Sequence, residues 1–151
     1  MCIRDRNYID VDNVADYLIV NTYAAQGDWP GNNWVLARER STRGRWRFYM
    51  WDAEMSFGLS TGRAVTYDSF ASDLVIGDAK TRSLSYAPSI IYTLLSASPE
   101  FKLRFADRVQ KHLFNDGCLT KTNMQTVYFK LRDTINPIMK ETTGAFMNES
   151  L

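Results

Sequence analysis

Apolar and polar residues follow three different rhythms along this chain. Between Asp10 and Ala25, the residues Val14, Tyr17, Leu18, Asn21 and Ala25 recur at spacings of three and four, which places side chains on one face of an α-helix. Asp10, Asp12 and Asn13 offer capping oxygens at its start, so the pattern predicts a helix over 11–25. The stretch Gln26–Asn32 crowds two glycines, a proline and cap-type residues together and reads as a loop. Two extended runs follow, over 34–40 and 45–51. In the second, Trp46, Phe48 and Met50 alternate with Arg45, Arg47, Tyr49 and Trp51. Aromatic richness at period two predicts strands, joined into a hairpin by the four residues Ser41–Gly44.

Residues 59–85 are polar, contain glycine and lack a clear period. The expectation is an irregular segment with a short helical turn, and long loops of this kind often carry function. Helical spacing returns over 88–96, with Ile90, Ile91, Leu94 and Leu95. It continues over 99–114, where Phe101, Phe105, Val109 and Leu113 recur at steps of four behind a first-turn proline. A last helix is predicted over 120–141 from Met124, Val127, Tyr128, Leu131, Ile135 and Ile138, with Pro137 placed to kink or break it. One hairpin cannot hold a domain alone and must pack on the helices. The expected class is α+β and mostly helical, with the hairpin carrying the chemistry.

Composition narrows the options. The 151 residues are 45% hydrophobic and 23% charged, as in ordinary globular proteins. Lys and Arg number 18 against 17 Asp and Glu, a balance that argues against nucleic acid as a partner. Five arginines fall between Arg38 and Arg47. They read first as a solvated hairpin tip, and second as an edge facing phosphate or substrate. Cys2 and Cys118 form no CxxC pair and lie in no zinc-ligand spacing. Cys118 reads as a small packed residue, and His112 as a surface or half-buried helix residue. No run of about 18 apolar residues occurs. Met1–Arg6 neither caps nor leads an element. It is set aside as a non-native leader, with the domain taken as 7–151.

The chemistry concentrates around the hairpin. Asp28 and Asn33 stand five positions apart in the loop before it, and Asp52 follows it, with Glu54 two residues on. Phosphoryl transfer needs a carboxylate to orient the incoming hydroxyl and oxygen ligands that hold magnesium against phosphates. Protein kinases use this order: a catalytic-loop Asp, an Asn five residues later, a hairpin, then an Asp. Each of these residues also has a bland reading, as a turn former or a solvated strand end.

Beyond spacing, three segments are informative: Gly27-Asp28-Trp29-Pro30-Gly31-Asn32-Asn33-Trp34, Gly44-Arg45-Trp46-Arg47-Phe48, and Trp51-Asp52-Ala53-Glu54-Met55-Ser56-Phe57-Gly58. Together they resemble the CotH kinase family, named for a bacterial spore-coat protein with an atypical kinase-like fold. The resemblance implies an ATP- and Mg²⁺-dependent phosphotransferase acting on Ser or Thr hydroxyls of a protein substrate. Asp28 would orient the hydroxyl or act as base. Asn33, with Asn32 as its near rival, and Asp52 would hold metal and nucleotide phosphates. Glu54, standing where the family has a second Asp, would be a further metal ligand. The resemblance also implies an exported, cell-surface or spore-coat setting. No lysine-bearing strand or glycine-rich phosphate loop precedes residue 28. The expectation is therefore a C-terminal part of the domain, inactive alone and lacking its N-terminal lobe. The alternative is a non-catalytic kinase-like module for surface or coat assembly.

Overall fold

The computed structural model describes residues 7–59, 63–75 and 86–143; the expected leader over 1–6 lies outside them. Helix α1 forms over Val11–Ala24. Asp10 is its N-cap, with extended backbone and a carboxylate oxygen accepting from the Asn13 N–H at 3.2 Å. Left-handed Ala25 ends it, its N–H turned back to the Thr22 carbonyl at 3.2 Å.

Strands β1 (Trp34–Ala37) and β2 (Arg47–Met50) form an antiparallel pair. They are shorter than the sequence pattern predicts. Trp34 faces Met50 and Ala37 faces Arg47, so the connection spans 38–46 instead of Ser41–Gly44. The cause is a competing partner. The Trp46 N–H donates to the Tyr8 carbonyl at 2.8 Å, and the Asp10 N–H donates to the Trp46 carbonyl at 3.0 Å. These bonds bridge Ile9 to Trp46 in parallel and pull the chain out of the hairpin ladder. Inside the connection the backbone folds tightly on itself at buried Gly44, where a Cβ would lie 2.1 Å from the Glu39 carbonyl oxygen. The arginines around it are exposed, as a solvated tip requires. Arg38 lies over the Trp46 ring, and Arg47 pairs with Asp10 at 2.9 Å.

The hairpin is fastened to α1 by a side chain. Asn13 accepts from the Phe48 N–H at 2.7 Å and donates to the Phe48 carbonyl at 3.1 Å, taking the hydrogen bonds that a third strand would have made. Behind this clamp, Val14, Tyr17 and Leu18 of α1 meet Trp29, Phe48 and Leu74 in the core. Tyr17 stacks on Phe48 with ring centroids 4.9 Å apart, and its hydroxyl accepts the Trp29 indole N–H at 3.0 Å. Burial pushes this hydroxyl well above the usual tyrosine range, against the opposing effect of that hydrogen bond.

Helices α2 (Ala87–Ser96), α3 (Pro99–Leu113) and α4 (Lys121–Thr143) complete the order. Between β2 and α2, a five-residue π-helical turn, Phe70–Leu74, is the short turn expected in the irregular segment. The chain divides into two compact units, one reaching Val109 and the other starting at Gln110. In the first, Phe101 is buried, and Ile91, Tyr92, Leu95 and Phe105 pack on the core. Asp12 and Asp16 of α1 take bidentate contacts from Arg104 and Arg108 of α3, each pair spaced i, i+4 on its own helix. In the second unit, α4 continues through Pro137 without the expected break. Among the described residues the result is a helix-dominated α+β architecture with one two-stranded antiparallel sheet. Among the described residues no helix is long and apolar enough to cross a membrane.

Candidate functional site

The loop leaving α1 and the segment leaving β2 are laced together at the base of the hairpin. The Gly27 N–H donates to the Met55 carbonyl at 2.6 Å, and the Phe57 N–H donates to the Ala24 carbonyl at 2.8 Å. Between these bonds, the Asp52 carbonyl accepts two side-chain amides, from Gln26 at 2.9 Å and from Asn33 at 3.0 Å. Asn33 and Asp52 are thus brought together, through the Asp52 backbone and not through its carboxylate.

Both residues adopt left-handed backbone, with φ of 58° at Asn33 and 53° at Asp52, a conformation that Asn and Asp tolerate better than most residues. A strand continued through residue 54 would put Asp52 and Glu54 on one face. The pleat stops at Met50, and the left-handed turn at Asp52, held by its two amide donors, redirects the chain. The four candidate residues therefore flank the sheet and do not lie within it.

Asp28, Asp52 and Glu54 are exposed, and among the described residues nothing donates to their carboxylates. Asp28 shapes its loop through the backbone, its carbonyl accepting the Asn32 N–H at 2.9 Å. Asn32 is exposed and Asn33 half-buried. Asn33 spends its amide nitrogen on Asp52, and its oxygen has no partner among the described residues. Of the residues that build the site, Trp29 and Gln26 are fully buried. Gln26 also buries its side-chain oxygen without a hydrogen bond, which is uncommon for a buried polar atom.

One part of the site was not legible in the sequence. Arg63 donates to the Gln26 carbonyl and, at 3.0 Å, to the Trp29 carbonyl, bracketing Asp28 from the backbone side. Its guanidinium also forms a bidentate pair with Asp73 at 2.9 and 3.0 Å. Asp73 is buried and further receives the hydroxyls of Ser69 at 2.6 Å and Tyr67 at 3.2 Å. Its backbone carbonyl accepts the Ser89 hydroxyl at 2.7 Å. A buried ion pair persists when further hydrogen bonds satisfy its carboxylate, and the Asp73 carboxylate accepts four donors. Its effect is to fix the loop that carries Asp28. An Arg and an Asp ten positions apart in a polar stretch leave no periodic trace.

Magnesium favours oxygen ligands and is usually held by one or two carboxylates together with substrate phosphates, not by an all-protein cage. The exposed carboxylates of Asp28, Asp52 and Glu54 and the side-chain oxygen of Asn33 are oxygen donors of the kind such a cation takes. Among the described residues no three His, Cys, Asp or Glu side chains gather into a ready-made cage.

The architecture and the loop–hairpin–acidic-segment order together are compatible with part of a kinase-like fold. The family model described as CotH kinase protein matches residues 6–150, nearly the whole chain, and the chain belongs to that family. No curated protein and no solved structure matches it. Membership carries a kinase-like function at the level of the family.

Proposed function

We propose that this chain carries the metal and hydroxyl-orienting part of an ATP- and Mg²⁺-dependent phosphotransferase that modifies Ser or Thr hydroxyls of proteins. The observation that supports this most is the treatment of Asp52. Two buried or half-buried amides hold its backbone in a left-handed turn, while its carboxylate is exposed and unengaged among the described residues. An aspartate that caps a turn with its side chain engages its carboxylate. Here the backbone is held and the carboxylate is free for a ligand.

In this reading Asp52 and the Asn33 oxygen hold the cation, and Glu54 assists with its longer reach. The bound Mg²⁺ would supply charge neutralisation at the nucleotide phosphates. Asp28 orients the incoming hydroxyl and accepts its proton, from a loop held by Arg63 through the Gln26 and Trp29 carbonyls. Trp29 anchors the same loop in the core.

The test is transfer of label from γ-labelled ATP to protein in the presence of Mg²⁺. It is run on the protein beside its Asp52→Asn variant. Label in the wild-type protein and none in the variant is the expected result. Full activity in the variant would remove Asp52 from the site. Absence of both label and Mg²⁺-dependent ATP binding would favour the second reading, a non-catalytic kinase-like module, whose motive is Glu54 in place of the family's second Asp.

A further inference from the structure

The turn between α3 and α4 is built to one shape. Asn115 and Asp116 take left-handed backbone, with φ of 49° and 61°. Gly117 is buried, and a Cβ there would lie 2.3 Å from the His112 carbonyl oxygen and 2.4 Å from that of Lys111. The Gly117 carbonyl accepts three donors: the Thr120 N–H at 3.0 Å, the Thr120 hydroxyl at 2.8 Å and the Asn123 side-chain amide at 3.0 Å. The Leu119 N–H returns to the His112 carbonyl at 2.9 Å. These bonds set Cys118 back over the last turn of α3, with its Sγ 3.3 Å from His112 Nδ1. Cys118 is an exposed free thiol, where the sequence suggests a packed one. Nothing in the phosphotransfer reading uses this pair.

A thiol within hydrogen-bond reach of an imidazole nitrogen is the arrangement of an activated sulfur nucleophile and its base. We propose that Cys118 and His112 form a reactive thiol–imidazole pair, a modification site for low-molecular-weight disulfides. With its proton on Nε2, His112 takes the thiol proton at Nδ1 as the sulfur attacks. The sulfur electron pair forms a bond to one sulfur of the incoming disulfide, whose S–S bond breaks. The departing thiolate takes the proton from the imidazole. One thiol and one disulfide become one mixed disulfide and one thiol, with no other oxidant. Among the described residues no second cysteine is present to displace the adduct.

The test uses the full chain with Cys2→Ala, so that only Cys118 reports. An aromatic disulfide that releases a coloured thiolate serves as the rate probe, and oxidised glutathione with mass detection identifies the adduct. The reference is a synthetic peptide of residues 113–121, which carries the thiol without His112. The chain is expected to react about tenfold faster than the peptide at neutral pH. His112→Ala should fall to the peptide rate, and added imidazole should restore part of the loss, which a purely structural role of His112 would not allow. Equal rates in chain and peptide would overturn the proposal, as would a folded His112→Ala chain of unchanged rate. If His112→Ala does not fold, as judged by far-ultraviolet circular dichroism, the comparison of chain with peptide decides.

Discussion

Helices α1 and α4 are written in the same code and meet different fates. Each repeats large apolar residues at spacings of three and four. In α1, Val14 and Leu18 are fully buried and Tyr17 is 4% exposed. In α4, Val127, Tyr128, Leu131 and Ile138 are 53%, 58%, 54% and 63% exposed. Periodicity determines which side chains share a face, because that follows from 3.6 residues per turn. It does not determine whether the face is covered. For α1 the cover comes from Trp29, Phe48 and Leu74, which are distant in sequence and are brought in by the Asn13 clamp on β2 and the Arg63 clamp on the loop.

The largest effect should come from the loop clamp. Arg63→Ala would leave buried Asp73 and two loop carbonyls without their cation, and should destabilise the first unit by about 3–5 kcal/mol in denaturant unfolding. A loss under about 1 kcal/mol would mean that the pair behaves like a surface ion pair. Next is the covered face itself. Leu18→Ala should cost about 2–5 kcal/mol by the same measurement.

A smaller effect is expected at Tyr17, which holds the Trp29 indole N–H. Tyr17→Phe removes that acceptor from a buried donor and should cost about 1–3 kcal/mol. The same residue gives a pH signature. Burial raises the hydroxyls of Tyr17 and Tyr92 above their ordinary value. The folded chain therefore holds these protons to higher pH than the unfolded chain. Their contribution is complete below the ordinary tyrosine value of about 10 and is lost as pH rises through the raised folded values. The denaturant midpoint should fall above that pH, and Tyr17→Phe should make the fall shallower. An identical fall in wild type and variant would contradict the assignment to Tyr17.

The smallest effect is expected in α4. Leu131→Ala on its exposed face should change stability by no more than about 0.5 kcal/mol. A cost comparable with that of Leu18→Ala would show that this face is covered in solution and would dissolve the contrast between the two helices.

Much of the local structure was legible in the sequence. The cap at Asp10, the start of α1, the two-strand pairing, the short turn within 59–85 and all three later helices follow from period, capping and turn residues that act within a few positions. The extent of the strands was not. Trp46 was drawn from the hairpin to Ile9, a partner 37 positions away, and alternation along a strand carries no information about such competition. Asp28, Asn33 and Asp52 could be put forward as candidates because their order around a hairpin survives in one dimension. The clamp of Arg63 on Asp73 could not, since its two members reveal themselves only by becoming buried together.

By itself, then, the sequence determined the elements, the residues that share each face, and the family to which the chain belongs. Tertiary structure decided the hairpin register, which amphipathic face is covered, the left-handed turn that frees the Asp52 carboxylate, and the placing of Cys118 against His112. The reason is one of range. Helical period, caps and turn preferences are settled among neighbours in the chain. Register, burial and the pairing of polar groups depend on which distant segments compete for the same hydrogen bonds and the same shelter from water.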